Sequence, residues 1–227
     1  MDQARRDKQN HAQAFGGEIS LLLKRLTDYQ LEDQRWGWAV DSRSDGTLSR
    51  LWWINPFQRT LVEIYGDVIL VDVCEGRNDV DFHLTTFVVI DGENKSRDVA
   101  FCISERQDED TFLWMFRQMN KYLSPRFSAV FTDRDPAMNA ALQEIWSDKF
   151  HGICLWHLQK NLTENLGSVL RSNFYLFMRD FWEVYRLGSP PSFVIGWQRL
   201  LAKYPEAVTY LKNNIFPDRQ KVHRPSM

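Results

Sequence analysis

Asp67-Val-Ile-Leu-Val-Asp-Val-Cys74 is the run from which the rest of the chain is read. Its β-branched apolar residues suit a buried strand, yet Asp72 stands inside it between Val71 and Val73. A carboxylate in such a place is costly unless it is paired, hydrated or bound to metal. Phe82 to Asp91 and Arg97 to Ser104 read as two further strands, joined by the hairpin-type turn Gly92-Glu-Asn-Lys95. Asp110 to Leu123 spaces Phe112, Leu113, Phe116, Met119 and Leu123 as one face of a helix. Ala129-Val-Phe-Thr132 is a fourth strand, and Pro136, suited to a first helical turn, opens a helix running to Trp146. His151-Gly-Ile-Cys154 is a short fifth strand, and His157 stands at the start of a long helical region.

On the N-terminal side, residues 1–17 are polar and end in Gly16-Gly17, and Ile19, Leu22, Leu23 and Leu26 then mark a helix from Glu18 to about Gln34. Trp36 to Val40 and Leu48 to Ile54 alternate around the polar turn ending Asp45-Gly46, which reads as a β-hairpin. Asn55-Pro56 closes that unit ahead of a short helix from Gln58 to Tyr65. Beyond Leu158 the patterns are helical, broken at Gly188-Ser-Pro-Pro191, Pro205 and Pro217.

The composition bounds what such a chain can do. Its 227 residues fit one sizeable domain, or a domain with a helical appendage, at about 100–200 residues per domain. An apolar share of 44% is ordinary for a packed protein and too high for a disordered one. The net charge is −2 and the pI near 6.2, whereas sequence-independent DNA affinity comes mostly from Lys and Arg against phosphates. A role on DNA therefore calls for a local basic face or a separate DNA-binding module. Three scattered cysteines fit a reduced, intracellular protein rather than a disulfide framework. The N-terminus lacks the pattern of a signal peptide, and no apolar run is long enough to span a membrane.

The order is three strands, helix, strand, helix, strand, helix. That is what a ribonuclease H-like α/β fold gives: a mixed five-stranded sheet flanked by helices, here followed by a C-terminal helical, insertion-like region. Other α/β folds share parts of this order. We expect an N-terminal lead-in of helix and hairpin over 1–66, a core over 67–160, and a helical region over 161–227.

In a ribonuclease H-like sheet the first and fourth strands are parallel neighbours, which sets Asp72 beside Asp133. Two adjacent carboxylates repel until Mg²⁺ or Mn²⁺ bridges them. Metal pairs, roughly 3.5–4 Å apart in typical sites, activate a water or 3′-hydroxyl toward a phosphodiester. The competing reading makes Asp133 a helix N-cap, for which Asp135, just before Pro136, is better placed. His151-x2-Cys154-x2-His157 could form part of a Zn²⁺ site, or His157 could simply cap or orient its helix. Trp114, Trp146 and Trp156 read as core rather than a base-stacking platform, and Glu105 to Asp110 as a solvated loop.

Cys154-Leu-Trp-His157-Leu-Gln-Lys-Asn161 resembles the C-x-W-H-x-x-K-N signature of Mutator-like element (MULE) transposases, a family that includes plant far-red-response regulators derived from them. Thr132-Asp-Arg-Asp-Pro-Ala-Met138 is similar to its T-D-x-x-x-A-M block, and Thr111-Phe-Leu-Trp114-Met-Phe116 to its S-F-x-W-x-F helix, with Thr for Ser. Asp72 and Asn78 match D-x-T-Y-x-x-N, although Cys74-Glu75 stand where the family has Thr-Tyr. Leu48 to Pro56 resembles the Trp-rich segment that precedes the domain. The matches keep their order over roughly residues 20–165.

The resemblance implies a DDE-type nucleotidyl-transfer fold acting on DNA at transposon ends, in the nucleus, with homo-oligomers possible. Asp72 and Asp133 would be the catalytic residues and first two ligands of Mg²⁺ or Mn²⁺, while Cys154 and His157 would be the family's C-x2-H pair, with Zn²⁺ as a candidate ligand. A third acid, a Glu on a late helix beyond a helical insertion, is expected to fall past the end of this chain. The chain then reads as an incomplete transposase domain, inactive alone. The alternatives are a domesticated, non-catalytic regulator or interaction module on the same fold, and a metal-dependent nuclease with another substrate.

Overall fold

The protein's structure, a computed structural model, describes residues 17, 19–74, 82–123, 127–133 and 135–216. Contacts divide the chain into two units, Met1–Lys149 and Phe150–Met227.

In the first unit a helix over residues 19–32 (α1) leads into β1 (Gly37–Ser42) and β2 (Leu48–Ile54). There follow α2 (Pro56–Tyr65), β3 (Val68–Cys74), β4 (His83–Ile90), β5 (Ser96–Ser104), α3 (Glu109–Leu123), β6 (Ala129–Thr132) and α4 (Pro136–Ile145). β3 is the pivot: it runs antiparallel to β4 and parallel to β6. β4 continues antiparallel to β5, β5 to β2, and β2 to β1. This is a mixed α/β sheet, and among the described residues the strands number seven and not five. Six lie in the first unit in the order β1-β2-β5-β4-β3-β6, and β7 (Phe150–Ile153) belongs to the second.

The extra strands come from the hairpin, which is part of the sheet rather than a lead-in to it. The cause is local and legible in β2. Leu51 and Trp52 point to opposite faces, as successive strand residues must, and both are fully buried. Leu51 joins Leu26 of α1 in a small core on one face, while Trp52 and Ile54 enter the main core on the other. A strand buried on both faces cannot sit alone, so β2 pairs with β5, setting Trp52 opposite Cys102 and Trp53 opposite Phe101. The Trp53 and Phe101 rings stack at 5.5 Å. Arg50, in the same strand, donates to Asp41 of β1 and Asp110 of α3 at 2.8 and 2.7 Å and lies over the Trp114 ring.

Helices cover the main core, with ends set by recognisable caps. Asn55 and Gln58 form a reciprocal capping box at the start of α2. The Gln58 amide also donates to the Asp98 carbonyl at 3.2 Å, tying that helix to β5. The charge run before α3 is more engaged than a solvated loop. Asp108 accepts hydrogen bonds from the Thr111 amide and hydroxyl at 3.0 and 2.7 Å, and Glu105 pairs with Arg43. α3 buries Phe112, Met115, Phe116 and Met119. The Phe116 ring meets Phe87 edge-on at 6.3 Å and Trp146 at 4.6 Å, and the Trp146 indole donates to Asn120 at 2.9 Å.

After β7 the second unit is helical: α5 (Leu155–Leu170), α6 (Phe174–Tyr185) and α7 (Pro190–Lys203), then a tail that ends in a π-helical turn, Leu211–Ile215. α5 buries Leu158, Leu162, Leu166 and Leu170, a four-residue ladder down one face. Phe177 and Phe181 of α6, Phe193, Trp197 and Leu200 of α7, and Leu211 and Ile215 of the tail join that core. Asp180 is its main polar link. It accepts from Lys203 at 2.5 Å, Tyr204 at 2.8 Å and Arg179 at 2.8 Å. Burial pushes its carboxyl pKa up, but those hydrogen bonds outweigh burial and hold it at about 2. Among the described residues no helix is long and apolar enough to cross a membrane.

Two outcomes follow. Phe116→Ala removes a fully buried ring from the middle of the first core and should cost about 3–5 kcal/mol, read as a lower midpoint of chemical denaturation; an unchanged midpoint would contradict this packing. The Asp180 carboxyl is depressed in the folded state, so its contribution is present above the unfolded value of about 3.9 and is lost as pH falls toward 2. Asp180→Asn should lower stability at neutral pH and flatten the stability profile across that acid window. An equally steep acid limb in the variant would show that the network does not stabilise the fold.

Candidate functional site

Alternation along β3 resolves the cost of its buried acid. Ile69 and Val71 are buried in the main core at 0% and 2% exposure. Asp72, one residue on, lies on the opposite face and is half-buried, opposite Thr86 of β4. β6 repeats the arrangement: Val130 and Thr132 are buried, while Phe131 and Asp133 are half-buried.

β3 and β6 pair in parallel as Val68 with Ala129, Ile69 with Val130 and Leu70 with Phe131. Two steps further in that register bring Asp72 abreast of Asp133, on one face and at the C-terminal ends of both strands. The turn after β6 separates two duties. Asp135 caps α4, its carboxylate accepting from the Met138 amide at 2.7 Å, with Pro136 in the first turn. Asp133 accepts from the Asp135 amide at 3.0 Å, which fixes the turn. Asp133 is therefore not the helix cap.

This pair suits a hard divalent cation in part. Mg²⁺ is commonly held by one or two carboxylates, with water and substrate phosphate completing its shell. Among the described residues no group of three or more His, Cys, Asp or Glu is gathered where it could hold a metal. Glu75 and Asn78, from the first motif block, lie outside the described residues.

Cys154 and His157 belong to the second unit. Cys154 is the N-cap residue of α5 without a side-chain capping bond, and His157 is the third residue of the helix. That is the N-cap and N3 spacing of a capping box, in which each side chain reaches the other residue's backbone N–H. Two such ligands are two short of the four that structural zinc takes. Of the three tryptophans read as core, Trp146 is buried and Trp114 packs against the core at its edge, but Trp156 is 65% exposed. It lies beside His157, the rings 4.8 Å apart and edge-on.

Comparison with known proteins agrees with the motif reading. Residues 68–161 match the MULE transposase domain, a span that holds Asp72, Asp133, Cys154 and His157. Protein FAR1-RELATED SEQUENCE 5 of Arabidopsis thaliana is 25% identical over 96% of this chain. FAR-RED IMPAIRED RESPONSE 1 and FAR1-RELATED SEQUENCE 2 of the same plant are 18% and 22% identical over 87% and 90% of it. The chain spans 30%, 24% and 25% of the lengths of those three proteins. The chain thus carries a MULE transposase domain and is related to the FAR1-type proteins of plants.

Proposed function

We propose that the chain is a transposase-derived domain that has become a regulatory, non-catalytic module, acting in the nucleus in association with DNA. The observation that carries this reading is the reach of the similarity. The match to FAR1-RELATED SEQUENCE 5 runs over 96% of the chain, so it takes in the helical unit as well as the 68–161 domain. One relative is named for an impaired far-red response, which supports a regulatory reading of this chain over a recombining one. The site agrees in that Asp72 and Asp133 are aligned by strand register, with no third metal-binding side chain gathered to them among the described residues.

The order β5-β4-β3-β6, with β3 parallel to β6, supports a ribonuclease H-like ancestry for the sheet. It also favours one second reading, an incomplete DDE transposase. There Asp72 and Asp133 would hold Mg²⁺ or Mn²⁺, a metal that activates a hydroxyl and steadies the leaving oxygen at a phosphodiester. The third acid would come from elsewhere. Zn²⁺ at Cys154 and His157 belongs to the same reading and needs two further ligands.

The test is a tethered reporter in plant cells, with the chain fused to an unrelated DNA-binding domain. The fusion should change reporter transcription, and Asp72→Asn/Asp133→Asn should give the same response as wild type. A response abolished by that double substitution, at equal protein level, would tie function to the acids and sink the non-catalytic reading.

A further inference from the structure

The chain's net charge conceals an uneven distribution. The second unit holds ten Lys and Arg against five Asp and Glu, a net charge of +5, and the first holds eighteen against twenty-five, or −7. The basic half is therefore the helical one, and it also presents the exposed tryptophan. Trp156 and Leu155, 65% and 45% exposed, open α5. With Gln159 they form one wall of an open pocket of about 300 Å³, whose other wall is Trp182 and Tyr185 of α6 and Arg186 just beyond it.

The pocket's chemistry is aromatic and cationic together. Trp182 is held edge-on by Phe181 at 5.4 Å and Tyr185 at 5.1 Å, so that wall is fixed by packing. Lys160, one turn along α5, lies 5.5 Å from the Trp156 ring centroid and 3.9 Å from Glu164. The first turn of α5 carries no acidic residue of its own, so the positive end of a sixteen-residue helix lies beside the pocket's Leu155–Trp156 wall.

We infer that this pocket binds an unpaired nucleotide of single-stranded nucleic acid. The base stacks against Trp156, the Trp182 wall and Gln159 border it, and Arg186 and Lys160 meet the phosphates. Stacking on an indole requires a base whose face is free, which duplex DNA does not offer. The guanidinium and ammonium select an anionic strand over an apolar peptide. The inference deepens the DNA-associated part of the proposed function by naming the form of nucleic acid. It concerns residues remote in sequence from Asp72 and Asp133, and the reporter response of that reading does not depend on it.

The test is fluorescence anisotropy of fluorescein-labelled oligodeoxythymidine with the full chain at low salt, each variant checked by circular dichroism. The folded protein should bind the single strand at least about tenfold more tightly than a duplex of equal length. Trp156→Ala and Arg186→Ala should each weaken binding about tenfold, with Trp156→Phe within about threefold of wild type. Arg186→Ala should also reduce the salt dependence. Equal affinity for duplex, full affinity in Trp156→Ala, or no binding by the folded wild type would each overturn the inference. So would a pocket found to take only a protein partner, with Trp156→Ala losing that partner and no oligonucleotide bound.

Discussion

The parallel pairing of β3 with β6 is the constraint on which the rest of the first unit depends. A parallel pair cannot be closed by a tight turn and needs a long crossover. Here that crossover contains β4, β5 and α3, and it supplies the two strands that continue the sheet from β3 and a helix that covers it. The same pairing fixes which residues stand together at the strand ends. With Leu70 level with Phe131, Ile69, Val71 and Val130 must enter the core, and Asp72 and Asp133 must share the other face. A one-residue slip would turn every one of these side chains over. The two acids are therefore held in line by the hydrophobic pattern of their strands, whatever use the protein makes of them.

Much of this was legible in the sequence, because strand and helix periods were clean. The run Asp67 to Cys74, the strand at Ala129 and the proline-opened helix at Pro136 lie within a residue or so of where their patterns put them. Asp135 was readable as the cap because it precedes Pro136, and the cap is its observed role. The hairpin's membership of the sheet was not legible. It depends on pairing between β2 and β5, about fifty residues apart, and nothing local in Leu48 to Ile54 names that partner. The hint was Leu51-Trp52-Trp53-Ile54, a strand apolar on both faces, which calls for cover on both. The exposure of Trp156 is hidden from the sequence for a related reason. A tryptophan is usually buried, and only the ladder Leu158, Leu162, Leu166 and Leu170 defines which side of α5 faces inward.

The two units divide the chemistry as well as the fold. The acidic excess and the aligned carboxylates belong to the first, and the basic excess, the C-x2-H pair and the exposed aromatic pocket belong to the second. A net charge of −2 suggested a chain poorly suited to nucleic acid, but an average over two oppositely charged units describes neither. The catalytic sheet of a transposase can lose its activity while its scaffold persists, since Ile69, Val71 and Val130 hold the strands in register independently of any metal. A charged, aromatic helical unit beside it in sequence can then carry the contacts that a regulator needs.

The central claim is that the register of β3 and β6 persists without the chemistry it once served. The most direct measurement is cleavage of linear DNA by the purified chain in Mg²⁺ or Mn²⁺, with Asp72→Ala as the reference. Under this account the wild type cuts no faster than Asp72→Ala in either metal. Metal-dependent cleavage by the wild type that disappears in Asp72→Ala would contradict it and restore the chain to the enzymes.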